Sequence, residues 1–223
     1  MLSPSQYPPP ATLPGDPSEQ RAPTSKPALP QLVSLACHDL RTPLATIQGF
    51  ARTAAAREEL PERAAQALEL IVAAAEELAG LLDDLSLSAQ IDGRRYEPVL
   101  EPVETLDLAR AAAERLGLDA VSVSGAGAPV LVDPAASARA VTGLCRCALR
   151  HGGLRRVSLA LEGPALLLSP VTAAVAPIIL GEVARDLSAL VAARLVEALG
   201  GSLSLAGETL SVRLPPAAEP LAQ

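Results

Sequence analysis

Apolar residues at Val33, Cys37, Leu40, Leu44, Ile47, Ala51 and Ala54 recur at alternating spacings of four and three, which commits this stretch to an amphipathic helix with a stripe that must be covered. A second stripe, Ala67, Ile71, Ala74, Leu78, Leu81 and Leu85, follows a short break at Glu58-Glu59-Leu60-Pro61. Two helices joined by so short a turn form an antiparallel hairpin. One hairpin cannot bury both stripes. Two hairpins related by a two-fold axis can, so the pattern predicts a homodimer built on a four-helix bundle.

The first helix contains the run His38-Asp39-Leu40-Arg41-Thr42-Pro43-Leu44. His38 falls just beside the apolar stripe, so its ring is expected to face solvent. Neutral imidazole is a nucleophile near neutral pH, and Asp39 is placed to hold or take its other proton, which suits phosphoryl acceptance. A single histidine in such a position is more often an ordinary surface residue. Thr42, however, lies on the same face one turn later. Pro43 removes an amide that would have bonded the carbonyl of Asp39, which predicts a bend.

On these residues, 31 to 92 resemble the dimerisation and histidine-phosphotransfer domain of bacterial sensor histidine kinases. His38 to Leu44 is similar to that family's phosphoacceptor box, and Leu82-Asp83-Asp84-Leu85 with Ile91-Asp92-Gly93 is similar to the end of its second helix. The resemblance implies that His38 carries the phosphoryl group and Asp39 assists as general base. It further implies that Asp39 and Thr42 form the acid-x-x-Thr pattern of receiver dephosphorylation.

Strand-like runs at Tyr96 to Glu101, Asp119 to Ser124, Ala128 to Val132, Val157 to Leu161, Ala165 to Ser169, Ser202 to Ala206 and Thr209 to Leu214 alternate with helical stretches near Glu104 to Leu116, Pro134 to His151 and Glu182 to Leu199. Gly200-Gly201 ends the last helix. The fold class expected is α+β, with a helical hairpin followed by an α/β sandwich whose helices cover one face of a mixed sheet. The order of elements resembles the ATP-binding domain of the same kinases.

The residues that would hold ATP in that family are replaced. Cys147 aligns with an asparagine that holds Mg²⁺, and a thiol is a soft donor where magnesium needs hard oxygen. Ser169, followed by Pro170 and Val171, stands where the family carries an Asp-x-Gly-x-Gly turn that binds adenine. The eleven residues from Val171 to Gly181 are too few for a substantial nucleotide lid. Arg185-Asp186-Leu187-Ser188 replaces a glycine-rich phosphate turn, and Glu182 and Asp186 put negative charge where a triphosphate would dock. The domain is therefore expected to be a degenerate ATPase domain that binds no cofactor.

The 223 residues are 49% hydrophobic, enough for one or two domains with a core, and no stretch has the ~20 apolar residues of a membrane span. Nine prolines in the first thirty residues suggest a disordered lead-in, and no export signal precedes them, so a cytoplasmic location is expected. A net charge of −7 with 1% aromatic residues argues against nucleic-acid binding. Cys37, Cys145 and Cys147 have no disulfide-like or zinc-like spacing. With His38 and His151 as the only imidazoles, no metal site is expected, and the thiols are read as buried.

The division expected is a lead-in at 1–30, the phosphotransfer hairpin at 31–92, the ATPase-like domain at 93–215 and a tail at 216–223. The function expected is a two-component phosphorelay in which His38 exchanges a phosphoryl group with the aspartate of a response-regulator receiver, with Arg41 and Pro43 in support. Mg²⁺ would arrive on the receiver, and whether the chain is itself an enzyme is left open. Three alternatives stand beside this: a receiver phosphatase using Asp39 and Thr42, a pseudokinase that binds a receiver or a separate histidine kinase, and an ATP-dependent kinase with a divergent site.

Overall fold

The computed structural model describes residues 29–56 and 60–217. Two long helices come first, α1 (Leu29–Ala55) and α2 (Glu62–Asp92). Helix α1 starts at Leu29, two residues inside the expected lead-in; the remainder of that lead-in, Glu58 and Glu59 of the predicted break, and residues 218–223 of the tail lie outside the described residues. Despite Pro43, α1 is one continuous helix.

The hairpin packs along a narrower line than the sequence stripes suggest. Cys37 and Leu44 of α1 meet Ala75 and Leu82 of α2, with Val33 and Ala79 against them. Leu40 and Ile47, expected in the same stripe, are each 53% exposed. The stripe assigned to α2 is largely turned outward, since Ile71, Leu78 and Leu85 are all exposed. Both helices carry apolar residues on two adjacent lines, and a single hairpin covers one of them.

The second half begins with β1 (Glu101–Glu104), α3 (Thr105–Leu116), β2 (Val121–Gly127), β3 (Pro129–Val132) and α4 (Pro134–Gly152). It continues through β4 (Val157–Gly163), β5 (Ala165–Ser169), α5 (Ala176–Ile179), α6 (Leu187–Ala198), β6 (Ser202–Ala206) and β7 (Thr209–Arg213). Five strands form a mixed sheet in the order β2-β4-β5-β7-β6, with β2 and β4 parallel and the other neighbours antiparallel. Strands β1 and β3 make a separate antiparallel pair. Alternate residues of the sheet, among them Val157, Leu159, Leu166, Leu168, Leu210 and Val212, bury against Leu108, Leu144 and Leu195 of the helices. Leu87 of α2 joins the same core, so the long helix serves both halves.

Several boundaries differ from the sequence reading, β2 for example running to Gly127 rather than Ser124. Residues 96–100 form no strand, consistent with Pro98, and the strand begins at Glu101. The last helix starts at Leu187 rather than near Glu182, because the Asp186 carboxylate accepts the Ala189 amide at 3.0 Å and caps it. The expected tail begins too early: Pro216 bridges Val130, and the amide of Ala217 donates to the carbonyl of Pro129 at 3.0 Å. Short helix α5 was not foreseen.

Leu166 is fully buried at the centre of the sheet. Leu166→Ala is expected to cost about 2–5 kcal/mol in urea unfolding followed by circular dichroism.

Candidate functional site

The two neighbours of His38 on α1 divide the helix surface sharply. Cys37 is 1% exposed and faces α2, whereas His38 and Asp39 are exposed. Thr42, one turn on, is exposed as well. Among the described residues, no side-chain hydrogen bond or ion pair ties down His38, Asp39 or Thr42, so all three present free polar groups on one stretch of helix. The Thr42 carbonyl accepts the Thr46 hydroxyl at 3.0 Å.

Arg41 is not free in the same way. Its Nη2 and Nε donate to Asp83 Oδ1 of α2 at 2.7 and 3.2 Å. Asp83 Oδ2 in turn lies 3.4 Å from Nη1 of Arg139 on α4. Arg139 Nε is 3.7 Å from Asp84 Oδ1, and Ser188 on α6 donates its hydroxyl to Asp84 Oδ2 at 2.6 Å. A few turns along, Arg194 of α6 forks onto both carboxylate oxygens of Asp92 at 2.7 and 2.8 Å and reaches the Ser88 hydroxyl at 3.1 Å. These contacts tie α1, α2, α4 and α6 together by charge. The run Leu82-Asp83-Asp84-Leu85 was legible only as a likeness; its physical role is to dock the sandwich.

Asp84 is buried, and burial raises its pKa from the ordinary carboxylate value. The Ser188 hydrogen bond, Arg139 and Arg146 work against that rise, and Asp83 adds to it. A raised native pKa means the folded chain holds the proton more tightly than the unfolded one. The contribution of Asp84 to stability is therefore full below the ordinary pKa and is lost as pH climbs through the raised one. Thermal unfolding of wild type and Asp84→Asn across the acidic range is expected to show wild-type stability falling relative to the variant as pH rises through that window.

The residues read from the sequence as replacing a nucleotide site are engaged within the fold. Cys147 is fully buried in the main core, its thiol pushed up to about 12 by burial and then by Asp186. Cys145 is likewise buried and raised to about 12 by burial. Ser169 is held by β4: Ser158 donates to its carbonyl at 3.1 Å, and the two hydroxyls lie 2.9 Å apart. Of the segment between β5 and α6, Val171, Val175, Ile178 and Ile179 are buried in the same core as Cys147 and Leu168. Asp186, besides capping α6, pairs through Oδ2 with His151 Nε2 at 3.1 Å. Gly143 permits α6 to approach α4 closely, since a Cβ there would lie 3.1 Å from Ser188 Cβ.

A hairpin displaying His38, docked on a mixed-sheet sandwich, defines a histidine kinase architecture. Residues 28–94 match the His Kinase A (phospho-acceptor) domain. Over 101 residues, 44% of the chain, the sequence is 34% identical to the probable sensor histidine kinase TcrY of Mycobacterium tuberculosis, 19% of whose length is covered. The fold is similar to full-length ShkA, solved in complex with AMPPNP, with a TM-score of 0.60 and 19% identity over 85% of this chain and 47% of that one. It is also similar to the histidine kinase AdeS of Acinetobacter baumannii, with a TM-score of 0.50 and 16% identity over 80% of this chain and 98% of that one. The chain thus spans about a fifth of TcrY and about half of ShkA. Residues 28–94 are a domain of the His Kinase A (phospho-acceptor) type, and the chain as a whole is similar to bacterial sensor histidine kinases. No helix among the described residues is long and apolar enough to cross a membrane.

Proposed function

We propose that this chain is a cytoplasmic phosphorelay protein in which His38 exchanges a phosphoryl group with the aspartate of a response-regulator receiver, without using ATP. One contrast carries this reading: His38 is exposed and unencumbered beside Asp39, while Cys147, Ser169 and Asp186 are engaged by the fold and Val171, Val175, Ile178 and Ile179 pack into the core beside them. In the transfer, a lone pair of neutral His38 attacks phosphorus in line, the bond from phosphorus to the aspartyl oxygen breaks, and the receiver carboxylate leaves. Asp39 takes or holds the proton on the other ring nitrogen, so that the phosphorylated imidazole does not retain an extra charge. Such a loose transition state asks chiefly for positioning and charge neutralisation, and the Mg²⁺ that supplies much of the latter belongs to the receiver. Arg41 holds α1 to α2 through Asp83 and acts as a positioning residue; Pro43 frees the Asp39 carbonyl from its usual helical partner.

The outward apolar line of Leu40, Ile47, Ile71, Leu78 and Leu85 supports a homodimer in which two hairpins form the bundle. The wild type is expected to sediment as a dimer, and Ile71→Glu combined with Leu78→Glu as a monomer with unchanged far-ultraviolet circular dichroism. A monomeric wild type contradicts the bundle.

Incubation with a labelled phospho-receiver is expected to move label onto the wild type and to leave His38→Gln at background. Absence of label on the wild type rejects phosphotransfer. A second reading, receiver phosphatase, is favoured by the exposure of Thr42 next to Asp39 on the helix face that carries His38. It requires that Thr42→Ala abolish receiver dephosphorylation while His38→Gln retains it.

A further inference from the structure

Among the described residues, one cluster brings together three side chains of metal-binding type: Cys147, His151 and Asp186, whose donor atoms all lie within 4.8 Å of one another. Cys147 and His151 are one helical turn apart on α4, so their side chains project from the same face. Asp186 enters from the start of α6, 35 residues further along the chain from His151. Its carboxylate is divided: Oδ1 accepts the Ala189 amide at 3.0 Å, and Oδ2 points to His151 Nε2 at 3.1 Å. One oxygen is thus fixed as a helix cap, which holds the other toward the imidazole and thiol.

We propose that Cys147, His151 and Asp186 bind a transition-metal dication, Zn²⁺ above all, in place of the nucleotide-bound magnesium of a working kinase. The donor set is one thiolate sulfur, one imidazole nitrogen and one carboxylate oxygen, which suits zinc and is poor for magnesium. Thiolate and carboxylate together neutralise the ion, and this matters where Cys147 is fully buried and Asp186 nearly so. A four-coordinate zinc with bonds of about 2.0–2.3 Å needs donors roughly 3.3–3.8 Å apart, so side-chain adjustments of about 1 Å close the site. The fourth position is left for water on the side where His151 remains a quarter exposed. Binding replaces the S–H bond of Cys147 with a sulfur–metal bond and releases one proton to solvent. The bound ion joins the end of α4 to the start of α6 and so clamps the segment containing α5 between them.

The expectation of no metal site rested on spacing alone, in which Cys147 and His151 are two ligands and Asp186 is distant in the chain. It is independent of phosphotransfer through His38, and either can fail without the other.

The test uses the full chain, stripped with a chelator and titrated with Co²⁺ and then Zn²⁺. One equivalent of Co²⁺ is expected to produce a thiolate-to-cobalt charge-transfer band with visible bands of tetrahedral intensity, both erased by Zn²⁺ and unaffected by excess Mg²⁺. Cys147→Ser is expected to abolish the charge-transfer band and to weaken Zn²⁺ by about 100-fold or more, while Cys145→Ser and His38→Gln leave both unchanged. His151→Gln, at a partly exposed position that tolerates substitution, gives a second readout should Cys147→Ser fold poorly: its Zn²⁺ affinity is expected to fall comparably. Absence of the charge-transfer band in the wild type, its survival in a folded Cys147→Ser, or wild-type affinity in His151→Gln overturns the proposal and leaves a helix-capping ion pair beside a core thiol.

Discussion

A buried carboxylate is the hinge of this architecture. Asp84 sits at the interface of hairpin and sandwich, where an unpaired charge would be costly, and it is made tolerable by the Ser188 hydroxyl at 2.6 Å and by Arg139 nearby. Those two partners come from α6 and α4, the helices that would frame a nucleotide in a working kinase. Their engagement with α2 fixes the sandwich on the hairpin. The neighbouring Asp83 extends the same network to Arg41, three residues beyond His38. One stretch of α2 therefore sets both the docking of the sandwich and the support of the helix that carries His38.

The sandwich is held together by packing of the same kind. A nucleotide site is a hollow lined by polar groups, whereas the segment between β5 and α6 places aliphatic side chains in the core. Val171, Val175, Ile178 and Ile179 are buried in the main core together with Cys147, and Ser169 and Asp186 satisfy hydrogen bonds within the fold. The sandwich has one continuous core and docks on the hairpin through α4 and α6. What remains exposed and chemically available is on α1.

Legibility of this chain in its sequence followed the range of the interactions. The strand runs at Ser202 to Ala206 and Ala165 to Ser169, and the helices near 105–116 and 134–152, follow from local alternation and turn residues and stand where expected. The exposure of His38 followed from its offset relative to Cys37 and Leu44. The choice between two apolar lines on α2 did not, because both have helical period and only the partner decides which is covered. Helix α5 is a single turn whose burial is tertiary, and the pairing of Pro216 with Val130 spans nearly the whole second half. Arg41 is expected from the sequence to support His38, and only the fold shows that it does so from an ion pair with Asp83.

The central claim is that a reactive imidazole is displayed on a hairpin whose attached sandwich supplies it with no phosphoryl group. The most direct measurement is incubation of the purified full chain with Mg²⁺ and γ-phosphate-labelled ATP, without any other protein, followed by quantification of acid-labile label. The expected result is no label above that of His38→Gln. Stoichiometric label on the wild type that disappears in His38→Gln would contradict the claim.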